Sequence, residues 1–356
     1  MNLKKAKSSN LVIIGSGLAG YTLVREIRKH DKTFPITVIT ADNGEYYSKP
    51  QLSNALTHKK EASQLALFTK EKFAQQFSID IKSNVLLNSL DDVDLEYSHL
   101  VLATGASPVI LPNLSHAHVV NNLEDYSKFR EIIKNQKKIT IVGSGLVGCE
   151  FANDLLNAGY EITVIAPEKY PLFNLIPEQA GLGLKKALAE KGVNWQLERY
   201  FQPEDDHGII LSAVGLRPNL TLAKSLNLTI NMGIVVNQYL ETSQANIYAL
   251  GDCAEVFGQV LPYIQPLSLC ARALAKTILG EPTAVEYPPM PIHIKTPAYP
   301  IVVVPTTSKN SRWELETHPD GLSGLCYNHD HTLTGFCVTG SQASRSHEFL
   351  AKLQTI

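Results

Sequence analysis

Short apolar runs rich in β-branched residues alternate along this chain with longer stretches of helical periodicity. Runs of this length, separated by amphipathic helices, are typical of parallel sheets assembled from βαβ units. The pattern therefore predicts an α/β chain that contains two such units, each ordered strand, helix, strand. They lie at 11–14, 18–29 and 36–40, and again at 139–142, 146–157 and 161–166.

A G-x-G-x-x-G motif joins the first strand to the helix in both units, with Gly15 and Gly143 as the first glycines, 128 residues apart. The first glycine permits a tight turn, the second lets a pyrophosphate approach the backbone, and the third lets the helix pack against the strand. Free N–H groups at the helix start, such as those of Leu18 and Ala19, favour phosphate. We therefore expect two diphosphate sites. The six glycines are Gly15, Gly17 and Gly20, then Gly143, Gly145 and Gly148.

An acidic residue after the second strand usually holds the ribose diol at such a site. Asp42 has this position in the first unit, and Glu168 lies slightly displaced from it in the second. A solvated loop carboxylate is the alternative interpretation of Glu168. We find no arginine near it in the sequence that would bind a 2′-phosphate, which favours NADH over NADPH.

Two further segments have the character of ligand-binding loops. A strand at 246–250 ends at Gly251, where backbone can approach a ligand, and Asp252 then offers a carboxylate to hydroxyl donors. Another strand, at 100–102, is followed by Ala103, Thr104 and Gly105. A helix is expected at 266–279, with Gly280 at its end.

Composition limits the remaining possibilities. The 356 residues are enough for two or three domains. A formal net charge of −2 does not indicate a nucleic-acid partner, and no apolar run approaches membrane-spanning length. The five cysteines lack C-x-x-C spacing, which argues against a disulfide framework or a zinc site and fits the cytoplasm. His329 and His331 lack an evident third ligand, so we predict no metal site.

The segments at 103–106 and 242–252 resemble motifs of the glutathione-reductase-type flavoprotein superfamily. The resemblance implies that the first glycine motif binds FAD and that the second, in a nested domain, binds NADH. It also implies that Asp252 bonds the ribityl chain, and that the helix at 266–279 points its N-terminus at the flavin ring. A nicotinamide and a flavin would then meet for hydride transfer.

Several stretches are more specifically similar to the rubredoxin–NAD reductase family. The family resemblance implies electron transfer from NADH through FAD to rubredoxin or another small iron redox protein. No dithiol pair is available as a relay, so electrons would leave the flavin directly and singly. A ferredoxin-type reductase of an oxygenase system and a non-catalytic nucleotide-binding flavoprotein stay open as alternatives. The stretches are 46–53, 148–155, 212–218, 248–256, 271–275 and 294–297.

The resemblance also implies residues beside the cofactors. A Lys–Glu ion pair commonly lies near flavin N5 in the superfamily, and Lys49 and Glu150 are its candidates here. A solvated lysine is the alternative for Lys49, and a glutamate favoured by the helix dipole is the alternative for Glu150. Lys295 could approach the flavin or the acceptor, or be an ordinary exposed lysine. Pro50 and Gly215 complete the cofactor-binding set.

The expected architecture is two nested Rossmann-like dinucleotide-binding domains plus a small C-terminal α+β domain. We expect an FAD domain at 1–118 and 240–285, an NADH domain at 119–239 and an interface domain at 286–356. Strands in the last domain are expected at 301–304, 324–327 and 334–339. The superfamily normally has a small antiparallel meander in each nucleotide domain, and the segments at 84–97 and 198–208 are too short for it. Residues 203–208 are predicted to form a polar turn that joins two strands.

Overall fold

A computed structural model describes residues 10–90, 96–206, 208–306 and 311–354 of the chain. The fold divides into two compact units. The first unit consists of Met1–Ser48, Ala66–Ser107 and Leu216–Tyr287, and the second of Lys49–Leu65, Pro108–Gly215 and Pro288–Ile356.

The described elements are mainly short strands joined by helices. In chain order, the strands are β1 (Leu11–Ile14), β2 (Ile36–Ile39), β3 (Tyr46–Tyr47), β4 (Ala66–Phe68), β5 (Asp80–Lys82), β6 (His99–Leu102), β7 (Ala106–Pro108), β8 (Lys138–Val142), β9 (Glu161–Ile165), β10 (Asn194–Gln196), β11 (Ile209–Ser212), β12 (Leu216–Pro218), β13 (Ile234–Val236), β14 (Ile247–Ala249), β15 (Ala254–Val256), β16 (Ile292–Ile294), β17 (Ile301–Val304), β18 (Arg312–His318), β19 (Gly321–Tyr327) and β20 (Leu333–Gly340). The helices are α1 (Leu18–His30), α2 (Lys70–Phe77), α3 (Leu123–Ile133), α4 (Leu146–Asn157), α5 (Glu178–Glu190), α6 (Thr221–Ser225), α7 (Ile264–Ile278) and α8 (Ser346–Gln354).

A parallel sheet with strand order β14-β6-β1-β2-β5 forms the centre of the first unit. All four residues of β1 are buried, as expected for a central strand covered on both faces. Helices α1 and α7 pack against each other beside this sheet. Basic residues in the last turn of α1 complement the negative end of the helix dipole.

The second unit contains two sheets. Strands β10-β9-β8-β11 form a parallel sheet, and α4 packs against β8 and β9. Strands β16-β17-β20-β19-β18 form an antiparallel sheet, on which α8 packs through Phe349 against Phe336 and Val338. Pro203–Asp205 forms a single 3-10 turn between β10 and β11, within the polar turn expected at 203–208, of which residue 207 lies outside the described residues.

The repeated βαβ pattern and the α/β fold class are confirmed. Helix α4 has the bounds that the sequence predicts, and α7 begins two residues earlier than expected. The C-terminal sheet contains two strands that the sequence analysis missed, β16 and β18. Strand β18 carries charged residues at alternate positions on an edge of the sheet, so its apolar signal is weak.

The compact units differ from the domain bounds expected from the sequence. Residues 216–239 were assigned there to the NADH domain, whereas they belong to the first unit. Leu222, Leu228 and Ile234 are buried in the same core cluster as β1 and α7. Burial of these side chains explains why the segment packs with the first unit.

Candidate functional site

The first glycine motif forms a corner between β1 and α1 that leaves space for a ligand. Gly15 has φ +116°, and a Cβ at this position would lie 2.2 Å from the carbonyl oxygen of Ala103. A Cβ at Gly20 would lie 2.1 Å from the Gly15 carbonyl oxygen, so the third glycine is needed for close helix packing. At Gly17, by contrast, a Cβ would meet no heavy atom of the described chain within 4 Å. The open side of Gly17 fits a pyrophosphate.

The second motif repeats this geometry between β8 and α4. Gly143 has φ +110°, and its Cβ would lie 2.5 Å from the Ala213 carbonyl oxygen. A Cβ at Gly148 would lie 2.1 Å from the Gly143 carbonyl oxygen. Around Gly145, the described residues place no heavy atom within 4 Å of such a Cβ. Each unit therefore has one diphosphate corner of the same design.

The acid of the first unit is fixed to its glycine corner. Asp42 Oδ1 accepts hydrogen bonds from Ser16 Oγ at 2.7 Å, Thr40 Oγ1 at 2.8 Å and the Gly44 N–H at 2.9 Å. Ser16 lies between the first two glycines of the motif. The carboxylate is thus held beside the corner, where a ribose would follow the diphosphate.

Glu168 is related in the same way to the second corner. Ser144 Oγ, from the residue after the first glycine, donates to Glu168 Oε2 at 3.3 Å. Glu168 is partly buried, and this contact is unlike that of a freely solvated loop carboxylate. The arrangement supports the ribose-binding interpretation over its alternative.

An arginine that the sequence analysis did not identify lies next to this acid. The Arg199 N–H donates to the Ala166 carbonyl oxygen at 3.2 Å, and the Glu198 N–H donates to the Glu168 carbonyl oxygen at 3.2 Å. No sequence motif indicates this neighbour, because Arg199 follows Glu168 by 31 positions and is brought back by pairing of β10 with β9.

The Ala103-Thr104-Gly105 segment follows β6 and is closed by Asn219. Thr104 Oγ1 donates to the Asn219 carbonyl oxygen at 2.9 Å, and Asn219 Nδ2 donates to the Thr104 carbonyl oxygen at 2.8 Å. The Asn219 N–H also donates to the Gly105 carbonyl oxygen at 2.9 Å. These bonds hold the segment in one conformation.

Gly251 and Asp252 follow β14 next to the first corner. A Cβ at Gly251 would lie 2.7 Å from the Ala19 Cβ, so this loop packs directly on the first turn of α1, which begins at Leu18. Asp252 is partly buried there. The loop that carries Asp252 is thereby placed beside the start of α1.

Glu150 is the centre of a polar cluster in the second unit. It lies on α4 with 1% exposure, and its Oε2 accepts a hydrogen bond from Ser53 Oγ at 2.6 Å. The same oxygen pairs with Lys295 Nζ, and Oε1 accepts from the Lys295 N–H at 3.0 Å. The Lys295 side chain is 28% exposed, which leaves its ammonium group partly accessible.

The lysine paired with Glu150 is therefore Lys295, whereas the sequence analysis gave this position to Lys49. Lys49 Nζ donates instead to Asn121 Oδ1 at 2.7 Å. Pro50 shares the 3-10 turn Lys49–Asn54, and this turn contributes Ser53 to the cluster. The error has a physical reason, since Glu150 and Lys295 lie 145 positions apart and pair through tertiary folding.

Gly215 is the last residue of the segment Pro108–Gly215 of the second unit. Its carbonyl oxygen accepts a hydrogen bond from the Val109 N–H at 3.0 Å. A Cβ at Gly215 would meet no heavy atom within 4 Å among the residues described. The open backbone is compatible with the cofactor contact predicted for it.

The cysteines take no part in a redox pair. All five are free and buried, and burial raises the pKa of the Cys149, Cys253 and Cys337 thiols. Low thiolate character makes these groups poor nucleophiles. The described residues also contain no group of histidine, cysteine and carboxylate side chains suited to a metal ion.

Two family models match the chain. The model described as pyridine nucleotide-disulphide oxidoreductase matches residues 9–271, and the model described as rubredoxin binding C-terminal domain matches residues 284–353. The chain belongs to the pyridine nucleotide-disulphide oxidoreductase family. The superfamily resemblance drawn from the motifs of this oxidoreductase is thus confirmed.

Relatives of this oxidoreductase extend over nearly the whole chain. The rubredoxin-NAD(+) reductase of Alcanivorax borkumensis is 41% identical over 97% of this chain and 99% of its own length. The nitric oxide reductase FlRd-NAD(+) reductase of Aliivibrio fischeri is 36% identical over 97% of this chain and 98% of its own. The specific resemblance to rubredoxin–NAD reductases is confirmed as well.

The fold of the oxidoreductase is also found in solved structures. NADH:rubredoxin oxidoreductase from Clostridium acetobutylicum superposes with a TM-score of 0.84 at 23% identity, covering 98% of this chain and 96% of that one. Ferredoxin reductase of the CYP199A2 system from Rhodopseudomonas palustris gives 0.85 at 22% identity, with 96% and 93% covered. At these low sequence identities, the structural similarity shows the fold alone. Where the chain is described, no helix has both the length and the apolar character needed to cross a bilayer.

Proposed function

We propose that this oxidoreductase takes electrons from NADH through a bound FAD and passes them singly to rubredoxin. The observation that carries the proposal is the pair of diphosphate corners, one in each unit, in a chain whose residues 284–353 match a rubredoxin-binding domain. The sequence-derived expectation of an enzyme with these two cofactors and this partner agrees with the names of the relatives. When bound, FAD supplies the conversion between two-electron and one-electron transfer.

The residues of the first unit fit FAD. The corner at Gly17 is open to a pyrophosphate, and Asp42 is held beside it as an acceptor for ribose hydroxyls. Asp252 offers a second carboxylate on a loop packed against Ala19. We assign the FAD contacts in this unit to Gly15, Gly17, Leu18, Ala19, Gly20, Asp42, Ala103, Thr104, Gly105, Gly251 and Asp252.

The residues of the second unit fit NADH. Gly145 leaves the corresponding space open, and Glu168 lies beside it as the acceptor for the adenosine ribose. A carboxylate at this position favours the 2′-hydroxyl of NADH over a 2′-phosphate. We assign the NADH contacts to Gly143, Gly145, Gly148, Glu168 and Gly215.

The Glu150 cluster is proposed to position charge for the reaction. Glu150 binds both the backbone and the ammonium group of Lys295, so this cation has a defined place. Fixed charges stabilise charge that develops during a reaction without further reorganisation. We propose that Lys295 and Lys49 contact the bound flavin, together with Pro50, and that Glu150 orients Lys295.

Rubredoxin is favoured over the alternative acceptors. The match at 284–353 concerns rubredoxin by description, whereas the ferredoxin reductase from Rhodopseudomonas palustris shares the fold at 22% identity. Buried, scattered cysteines do not offer a disulfide relay, so an external one-electron acceptor suits the chain. A non-catalytic nucleotide-binding flavoprotein would need neither that domain nor the buried ion pair. We further propose a cytoplasmic location. The three-part division at 1–118 with 240–285, 119–239 and 286–356 is proposed as a division by function, whereas by compactness residues 216–239 belong to the first unit.

A comparison of acceptors tests the proposal. Purified enzyme, reduced with one equivalent of NADH under anaerobic conditions, is mixed in a stopped-flow instrument with rubredoxin or with a [2Fe–2S] ferredoxin. We expect rubredoxin to be reduced at least tenfold faster at equal concentration. Equal or faster reduction of the ferredoxin would exclude rubredoxin as the preferred acceptor.

A further inference from the structure

The arginine beside Glu168 is held in a defined position by its backbone. Strand β10 pairs in parallel with β9, and Gln196 is the register partner of Ile165. The following residues stay alongside the loop after β9, where the Arg199 N–H donates to the Ala166 carbonyl oxygen. The Arg199 backbone therefore lies beside the loop that carries Glu168, the acid that we assign to the adenosine ribose.

The Arg199 guanidinium already forms an ion pair with an adjacent carboxylate. Arg199 Nη2 lies 2.5 Å from Asp205 Oδ2, and Nη1 donates a hydrogen bond to Gln196 Oε1. The Asp205 side chain is 16% exposed and also accepts the Gln202 N–H at 2.8 Å. The 3-10 turn Pro203–Asp205 thus fixes the anion that neutralises Arg199.

An arginine near the ribose-binding acid is the usual ligand for the 2′-phosphate of NADPH. Here the arginine is present, but its charge is compensated and two of its nitrogen atoms are engaged. A 2′-phosphate that reached Arg199 from a ribose bound at Glu168 would therefore meet the Asp205 carboxylate as well as this cation. Like charges at short range disfavour binding.

We propose that Asp205 is a specificity-determining residue, which withholds Arg199 from a 2′-phosphate and so restricts the enzyme to NADH. The inference rests on the proposed function, because it assumes that the second corner binds the dinucleotide. Loss of the Asp205 charge leaves Arg199 with a net positive charge and free donors next to the ribose position. The chain then holds a latent site for a 2′-phosphomonoester.

Binding of two nucleotide fragments tests this without turnover. Adenosine 5′-monophosphate and adenosine 2′,5′-bisphosphate differ by the 2′-phosphate alone, and calorimetry gives their dissociation constants on the intact flavoprotein. In Asp205→Asn, we expect the affinity for the bisphosphate relative to the monophosphate to rise about tenfold, as for a new charge-assisted contact to arginine. Steady-state use of NADPH relative to NADH should rise in the same direction.

Three variants serve as controls. Asp206→Asn removes the neighbouring carboxylate, which faces His116 at 3.1 Å, and should leave the ratio unchanged. Adding Arg199→Gln to Asp205→Asn should abolish the gain. Arg199→Gln alone should not raise the ratio, because it removes the cation and leaves the Asp205 carboxylate in place.

The outcomes separate the inference from the proposed function. An unchanged ratio in folded Asp205→Asn protein, or an equal rise in Asp206→Asn, overturns the role of Asp205. Should Asp205→Asn fail to fold, Asp205→Ser takes its place, and an unchanged ratio in that folded variant overturns the role in the same way. Failure of the wild-type protein to bind adenosine monophosphate or to oxidise NADH would contradict the proposed function itself.

Discussion

The backbone N–H of Thr57 donates to Asp154 Oδ1 at 2.6 Å, a contact between residues 97 positions apart. The Leu56 N–H donates to the other carboxylate oxygen at 3.2 Å. Asp154 is fully buried on α4, one turn after Glu150, which accepts from Ser53. One polar face of this helix therefore holds the segment that begins with Lys49.

Substitution of Asp154 by asparagine should destabilise the protein. Asparagine retains one acceptor oxygen but presents an N–H₂ group to the second backbone donor, which loses its partner. An unsatisfied buried donor costs about 1–3 kcal/mol. Chemical denaturation at pH 7 measures this change in the free energy of unfolding. Asp80→Asn, at an exposed position of the edge strand β5, is the matched control and should change it little.

The effect of Asp154→Asn should depend on pH. Burial raises the pKa of the Asp154 carboxyl above its ordinary value of 3.8, against the lowering effect of the bonds from Thr57 and Leu56. The ordinary pKa applies to the unfolded state, and the raised pKa applies to the folded state. Between these two pKa values the folded state binds more protons than the unfolded state, so stability falls as pH rises. The free energy of unfolding of the wild type, relative to that of Asp154→Asn, should therefore decrease as the pH increases from below 3.8. An advantage that grows with pH contradicts this assignment.

The Glu150–Lys295 pair should be energetically coupled. A double-mutant cycle with Glu150→Gln and Lys295→Met should give a coupling energy of about 1–3 kcal/mol, because the carboxylate is buried and the ammonium group partly so. The free energy of unfolding of the four proteins measures it. A parallel cycle with Lys49→Met is the control and should give a smaller value. Stronger coupling to Lys49 would restore the pairing expected from the sequence.

Alanine at the first and second glycines of the FAD corner should separate folding from binding. Gly17→Ala places its Cβ in open space, so the apoprotein should keep its melting temperature. The same methyl group would crowd a bound pyrophosphate, at a cost of about 1–3 kcal/mol in binding free energy. This cost corresponds to an affinity for FAD that is about tenfold to hundredfold lower. Gly15→Ala should instead destabilise the apoprotein by at least about 2 kcal/mol, because its Cβ collides with Ala103. Equal melting temperatures for both variants would refute this division.

Valine at Gly145 should block the NADH site while FAD stays bound. Its side chain fills the open side of the second corner, where Gly143 and Gly148 set the backbone. The visible spectrum measures flavin content, and anaerobic addition of NADH measures reduction. We expect yellow protein that NADH reduces at least tenfold more slowly, as steric crowding of this size predicts. A folded but colourless variant would mean that the two nucleotides occupy the opposite corners.

Removal of the Asp252 carboxylate should weaken flavin retention. We propose that this group accepts hydrogen bonds from ribityl hydroxyls, and a lost charged hydrogen bond costs about 1.5–3 kcal/mol. Flavin released on dialysis of Asp252→Ala measures the effect, with Asp80→Ala in the same unit as control. Full flavin content in Asp252→Ala after dialysis would remove this role.

The sequence was sufficient for the features that depend on local pattern. The glycine corners, α4 and the position of Asp42 follow from motifs whose residues lie within one βαβ unit. Their spacing reflects backbone contacts that any such corner needs, for example the approach of Gly20 to the Gly15 carbonyl oxygen.

Contacts between segments that are distant in the chain could not be predicted from the sequence in the same way. The partner of Glu150 and the neighbour of Glu168 depend on which segments the tertiary fold brings together, and single residues such as Lys295 and Arg199 carry no periodic signal. Ser53 and Asp154 lie inside stretches that resemble the family, yet their roles depend on bonds across more than 90 positions. Strand β18 was missed because an edge strand with alternating charge looks like a loop.

Anaerobic titration of the purified protein with NADH tests the central claim most directly. We expect a yellow protein whose flavin absorption band bleaches with one equivalent of NADH and returns when oxidised rubredoxin is added. A protein that carries flavin but keeps its full absorption band after excess NADH would contradict the account.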